Sequence, residues 1–353
     1  MELRDGHAKD TRVLYELFQR NEFLEEGIVE GNFMHYMDTL FYKNPLNIHY
    51  QVVGENPEGL IAHHGLVPFG FKVRGKNLVA GLGSNLVIDR PHRSLMSFLQ
   101  LQRKFFGEYG KHSIDFAYGL VTRKEVLNLH LRTGFKKVGD VFVYARPYLV
   151  NKIIDRLVSS PLLRAVLKGA GKGVEGIALF PWGTKSAVPV RKVESFDNSW
   201  DFSLSSLSDA FRITAARSAQ TLNWRFGELK YRDYEIYVAG GEAECAGYIV
   251  LRPMPMQGFS ALAIVDILVP LERPDIAKAL LGKVHERARE LGVDLTAVML
   301  APHSPVLPLL KSCGFLKTPE SFTLVVHESE KKEHRLAENF SEWHVTWLDH
   351  DFV

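Results

Sequence analysis

The chain has 353 residues, 46% of them apolar and 24% charged, with 43 basic against 41 acidic side chains and a net charge of +2. That length exceeds one ordinary hydrophobic core and points to two domains, while the even charge gives no general pull towards nucleic acid or an anionic membrane. No apolar run reaches the roughly 18 residues of a membrane-spanning helix, and Cys245 and Cys313 alone make neither a disulfide framework nor a zinc cluster.

The opening MELRDGHAKD is polar, without the apolar stretch of an export signal, so a cytoplasmic protein is expected. FYKNPLNIHYQVV at 41–53 sets an aromatic residue ahead of a tyrosine that opens a β-branched strand. The segments 60–73 and 78–89 read as strands. A helix is expected over 94–109, where Leu95, Phe98, Leu99, Phe105 and Phe106 recur on one face. A strand over 114–120, a helix over 123–133 and a strand over 140–146 close this first run.

The segment 149–190 breaks the pattern. It starts as an amphipathic helix (NKIIDRLV, then LLRAVL) and passes through GKGVEG to PWGTKSAVPV, which makes it a linker with a packed helix. The earlier order then returns. WRFGELKYRDYEIYVA at 224–239 leads to strands at 244–252 and 260–269 and a helix at 274–291 striped by Ile276, Leu280, Leu281, Val284 and Leu291. A strand at 293–300, a short helix at 304–313 and a strand at 321–328 follow. The tail 331–353 runs from KKEHRLAE to WHVTWLDHDFV, and its aromatic end predicts docking on a domain.

Two anchors tie the runs together as a duplication. TGFKK at 133–137 recurs as CGFLK at 313–317, 180 residues on from Gly134 to Gly314, and Phe41 lies 183 residues before Trp224. The expected organisation is a first domain over 1–148, the linker over 149–190, a second domain over 191–330 and the tail. Each domain should be a mixed sheet with helices on its faces, binding ligand where strands splay near a helix N-terminus.

The local residues at that place are distinctive. Arg90-Pro91-His92-Arg93-Ser94-Leu95-Met96-Ser97-Phe98 follows the strand NLVID directly, and Pro270-Leu271-Glu272-Arg273-Pro274-Asp275-Ile276-Ala277-Lys278 follows VDILV. With the Gly134-Phe135 and Gly314-Phe315 endings, both halves resemble the GCN5-related N-acetyltransferase (GNAT) superfamily in its tandem two-domain bacterial form. The resemblance covers the chain apart from linker and tail. It implies an α/β class (α+β mixed sheet) with two tandem acyl-CoA N-acyltransferase folds. It also implies acyl transfer from acetyl-CoA or another acyl-CoA to an amine of a small molecule, sugar or peptide, with no metal.

On that resemblance the backbone around Val87 and Ile88 would face the thioester oxygen. The turn and helix start at Arg90, His92, Arg93 and Ser94, then Leu95, Met96, Ser97 and Phe98, would face the pyrophosphate and pantetheine. Unpaired helix N–H groups receive phosphate best where glycine lets it approach, yet Met96 and Phe98 stand where the family has small residues. Ser94 is a potential N-cap that competes with ligand for one N–H. The second loop is less suited, since Pro274 has no N–H, Ile276 replaces a glycine, and Glu272 and Asp275 are negative.

His130 takes the place of the family's tyrosine acid, where the second half has Leu310, so the first half is the catalytic candidate. Asp89 and Asp115 are candidate bases, with Tyr118 on the face opposite Asp115. His63 and His64 are adjacent in a strand and point to opposite faces, which prevents a shared metal. Gly81-Leu82-Gly83-Ser84-Asn85 does not complete a dinucleotide-binding pattern, since Leu86 takes its last place. Two other functions fit the sequence: a non-catalytic tandem module binding a ligand or partner, and a Fem-type aminoacyl transferase. The near-neutral charge counts against the second, which must hold tRNA. The acceptor and oligomeric state are left open.

Overall fold

The computed structural model describes residues 1–24, 28–149, 152, 154, 156, 187–328 and 334–350. Before the linker lie β1 (Glu2–Asp5), α1 (Thr11–Arg20), α2 (Glu30–Met37), β2 (Tyr50–Asn56), β3 (Gly59–Val73), β4 (Lys76–Ile88), α3 (Leu95–Glu108), β5 (Phe116–Val121), α4 (Lys124–Leu131) and β6 (Lys136–Pro147). After it come β7 (Val190–Val193), α5 (Asp201–Ser208), β8 (Ile213–Ala215), α6 (Ala219–Gly227), β9 (Glu235–Ala239), β10 (Gly247–Met256), β11 (Phe259–Leu268), α7 (Pro274–Leu291), β12 (Leu295–Leu300), α8 (Leu307–Ser312) and β13 (Leu316–Glu328). The elements expected over 60–146 and 244–328 occur in that order, and β1, α1, α2, β7, α5, β8 and α6 are additions to it. The linker helix lies outside the described residues save Lys152, Ile154 and Arg156.

The strands form one continuous sheet in the order β1-β2-β3-β4-β5-β13-β6-β12-β11-β10-β9-β7, with β8 added against β3. Most neighbours are antiparallel, but β4–β5 and β11–β12 are parallel, as a strand–helix–strand crossover requires. At the middle of the sheet the halves exchange their last strands. β13, from the end of the chain, pairs with β5 along Phe116–Val121, and β6 pairs with β12 along Leu295–Leu300. The expected division at 148 and 191 is therefore not a division of the sheet.

Local chemistry explains the helix ends. Ser94 caps α3, its Oγ accepting from the Ser97 N–H at 3.0 Å, and the helix buries Phe98, Leu101, Gln102 and Phe105 on the sheet. Burying each such apolar side chain contributes about 1.5–3 kcal/mol. Leu95, expected on that stripe, is 49% exposed at the open end of the helix. The Gly-Phe anchors share one function. Gly134 (φ +96°) and Gly314 (φ +79°) take the left-handed conformation after α4 and α8, which turns Phe135 and Phe315 into the core. Of the other anchors, the Trp224 indole N–H donates to the Thr39 carbonyl, two residues before Phe41, at 2.8 Å.

The tail is packed down over its described part. Trp343, Val345, Trp347 and Leu348 are buried, and Thr346 Oγ1 donates to Asp266 Oδ1 at 2.8 Å. Asp266, wholly buried in β11, also takes Arg217 at 3.0 Å and the Tyr248 hydroxyl at 2.5 Å. Among the described residues, no helix is long and apolar enough to cross a membrane.

A buried pair that loses one charge leaves the other uncompensated. Asp266→Asn is predicted to cost about 3–5 kcal/mol in urea unfolding by stranding Arg217; a cost below about 1 kcal/mol would show that the tail anchor is not built on this pair. Asp349 behaves in the opposite sense. Its burial, only partly offset by Arg217, raises its carboxyl to about 6, so the fold prefers it protonated. Its contribution is full below the ordinary carboxyl range and is lost as pH rises through about 6. Asp349→Asn should match the parent chain near pH 4 and exceed its stability at pH 8, by about 3 kcal/mol at most. Parallel pH–stability curves for the two proteins would contradict this.

Candidate active site

β4 and β5 run side by side only from Ala80–Leu82 against Phe116–Tyr118, and beyond those pairs they part. β4 carries a bulge at the same place. His63 pairs with Val87 but Gly65 with Ser84, so His64 alone faces Asn85 and Leu86, and Asn85 is left-handed at φ +57°. A bulge bends its strand and takes residues out of the ladder. The gap opens into a cavity of about 850 Å³. Its walls are Gly83–Ile88 of β4, Tyr118–Val121 of β5, the start of α3, and Val126, Leu129 and His130 of α4. Asn21, Glu22, Phe23 and His350 close the side formed by α1's end and the tail.

The expected contact residues divide. Val87, Ile88, Arg93, Ser94, Leu95, Phe98 and His130 come together in the lining. Arg90, His92, Met96 and Ser97 stand outside it. Arg90 and His92 form a short 3-10 turn, with Arg90 paired to Glu22 at 2.7 Å. Met96 is 62% exposed and turned away from the gap, whereas Phe98, the other residue expected to crowd a ligand, is buried and lines the cavity. The Ser97 N–H is taken by the Ser94 cap, while helix geometry leaves those of Leu95 and Met96 without an acceptor in the helix. Arg93 braces the turn through Nε to the Ile88 carbonyl (2.7 Å) and Nη2 to Asn21 Oδ1 (3.1 Å).

His130 sits in an aromatic corner, its ring 4.9 Å from Phe135 and 6.1 Å from Phe98. Its Nδ1–H donates to the Val126 carbonyl at 2.8 Å. Burial lowers its pKa, and the Val126 carbonyl only partly resists. The neutral ring therefore has its proton on Nδ1 and a lone pair on Nε2, which accepts a proton and cannot donate one. An acid was expected here; the geometry favours an acceptor.

Neither candidate aspartate reaches the cavity lining. Asp89 caps the 90–92 turn and binds Arg20 (2.8 Å) and Asn21 (2.9 Å). Burial raises its carboxyl, but these partners outweigh that and hold it below the usual range, which disfavours a base. Asp115 lies before β5, at the end away from the gap, where its Oδ2 accepts the Val79 N–H at 2.8 Å. Tyr118 does line the cavity and is buried.

His63 and His64 point to opposite faces, as strand parity requires. His63 binds Gln51 (2.9 Å) and the Asn85 carbonyl (2.8 Å) on the α1 side. His64 lines the cavity on the α3 side, stacked on Phe105 at 3.8 Å and bonded to Gln102 at 3.1 Å. Sequence reasoning passed over His64 and Gln102 as site residues. The two are 38 positions apart, and only the packing of α3 on β3 joins them.

The second half differs at each point. α7 starts on Pro274, Arg273 pairs with Asp275 at 2.7 Å beside the helix start, and Ile276 is buried against Gly247. Leu310 is fully buried, and the tail lies on β11 through Thr346 and Asp266.

No family model and no curated protein sequence matches the chain. Solved structures do. A GCN5-related N-acetyltransferase from Kribbella flavida aligns at TM-score 0.60 and 11% identity over 92% of this chain and 70% of its own. A probable N-acyltransferase from Enterococcus faecalis aligns at 0.61 and 10%, over 93% and 73%. The Saccharomyces cerevisiae N-myristoyltransferase with bound myristoyl-CoA aligns at 0.64 and 14%, over 92% and 82%. The chain thus has the GNAT fold, across both of its halves.

The His130 geometry predicts a specific spectrum. In ¹⁵N NMR the ring should be the Nδ1–H tautomer and titrate below 6.5, the ordinary histidine value. An Nε2–H tautomer, or a midpoint above that value, would show the Val126 bond to be wrong.

Proposed function

We propose that this chain is an acyltransferase that moves an acyl group from an acyl-coenzyme A to an amine in the cleft between β4 and β5. The observation that carries the reading is the cavity itself. It opens where two parallel strands part, at a helix N-terminus with spare N–H groups, and holds one proton-accepting imidazole. Such a helix end attracts a pyrophosphate through its N–H groups and dipole. Arg93 adds positive charge at the mouth. The solved structure with myristoyl-CoA supports a long acyl donor as much as the N-acetyltransferases support a short one, so acetyl-CoA is one member of the donor class.

In the proposed reaction the amine nitrogen attacks the thioester carbonyl carbon. A C–N bond forms, the C–S bond breaks, and coenzyme A leaves as thiolate. His130 Nε2 takes the proton the nitrogen releases and passes it to the thiolate, so the ring ends neutral and the products are an amide and free thiol. The backbone at the β4 bulge faces the thioester oxygen. On this reading residues 1–148 and 191–330 are duplicated units of which the first works, while the second supplies β13 to hold β5 and a wall for the tail.

Calorimetric titration of the whole chain with acetyl-CoA, myristoyl-CoA and coenzyme A tests the reading. Binding is expected, about tenfold weaker for Arg93→Ala. His130→Phe should keep its affinity but lose about 10²–10⁴ in rate of thiol release across an amine panel. No heat with any of the three at millimolar concentration would overturn the assignment, and unchanged turnover in His130→Phe would remove that residue from the chemistry.

A further inference from the structure

Resting on the acyl-CoA reading of the cleft, we infer that His64 is a second catalytic residue, a side-chain hydrogen-bond donor to the thioester oxygen, held in that role by Gln102. His64 is the β3 residue opposite the β4 bulge, at the interruption in the β3–β4 ladder. It is 2% exposed overall yet forms part of the cavity lining. Gly83 leaves the approach open: a Cβ there would lie 3.6 Å from His64 Nε2 and 3.5 Å from the Tyr118 carbonyl oxygen, between the parting strands. Nε2 thus borders the gap where a thioester would pass from α3 towards the acceptor.

The ring's other face and its other nitrogen are fixed. It stacks on Phe105 with centroids 3.8 Å apart and planes 16° apart. Gln102 Nε2 donates to Nδ1 at 3.1 Å, so Nδ1 carries the lone pair and Nε2 the proton. Gln102 is wholly buried in α3, and among the described residues its Oε1 has no partner. An apolar residue at that position would avoid this unsatisfied oxygen, so packing alone does not account for a glutamine there. Burial keeps His64 from charging, and His130 across the same cavity disfavours its charging further.

A neutral imidazole N–H aimed at a carbonyl oxygen polarises it without giving up the proton. His64 then stands beside whatever backbone N–H the bulge releases, and the two imidazoles divide the work. His64 holds charge developing on oxygen, and His130 carries the proton from nitrogen to sulfur. His64 itself exchanges no proton, so the balance of the reaction is unchanged. Gln102 acts through His64 and is a positioning residue.

The test is ¹³C NMR of the whole chain with [1-¹³C]acetyl-CoA and [1-¹³C]myristoyl-CoA. Bound to the parent chain, the carbonyl signal should move downfield. In His64→Phe, which keeps the stack on Phe105, at least about half of that displacement should vanish, with Kd within about threefold and kcat down about 10²-fold. An unchanged carbonyl shift in folded, ligand-binding His64→Phe would overturn the inference and leave the acyltransferase reading standing. Failure of either acyl-CoA to bind the parent chain would overturn both. Should His64→Phe not fold, ¹⁵N NMR of the parent chain decides: Nε2–H must be the tautomer and must shift on adding acyl-CoA. Gln102→Leu should then give a mixed His64 tautomer, and a fixed Nε2–H in that variant would remove Gln102 from the role.

Discussion

The structure turns on how β5 is held. β5 must leave β4 for the cleft to exist, and a strand that leaves one neighbour needs another to satisfy its backbone. β13 supplies it, pairing along β5 from Phe116 to Val121. That strand comes from the far end of the chain, while β6 performs the same service for β12. The cleft of the first half is thus stabilised by the second half's last strand, and neither half is complete alone.

The two halves differ in what fills the space beside the parting strands. In the first, small and bent backbone at Gly83–Asn85 and a Ser94 cap leave room at the start of α3. In the second, Pro274, buried Ile276 and the Arg273–Asp275 pair close the helix start, and the tail is anchored on β11 by Asp266, Arg217 and Thr346. The tail also runs on to His350, which borders the first cavity. One segment therefore braces the second half and completes a wall of the cavity in the first.

Much of the fold was legible in the sequence because its cues are local. Helical stripes, the Ser94 cap and the Gly-Phe turns are each set by neighbouring residues, and α7 falls on the expected 274–291. The strand exchange was not legible. Alternation shows which face of β6 or β13 is buried, but does not name the partner strand. The site was half legible for the same reason. Ser94, Leu95 and Phe98 lie at a helix start and were expected there from the resemblance, whereas Met96 turned out to solvent because helix phase, not residue size, sets its direction. Asp115 failed as a base because it sits at the wrong end of β5, and Asp89 because Arg20 and Asn21, distant in sequence, already hold it. His64 with Gln102 depends on a strand–helix contact that no motif encodes.

On the proposed reading one cleft, in the first half only, takes an acyl-CoA. Amide hydrogen exchange with and without a saturating acyl-CoA reads both halves at once. Exchange should slow in 83–98 and 119–135, with no change in 265–278 or 300–312. Protection at the second-half segments, or none in the first, would contradict it.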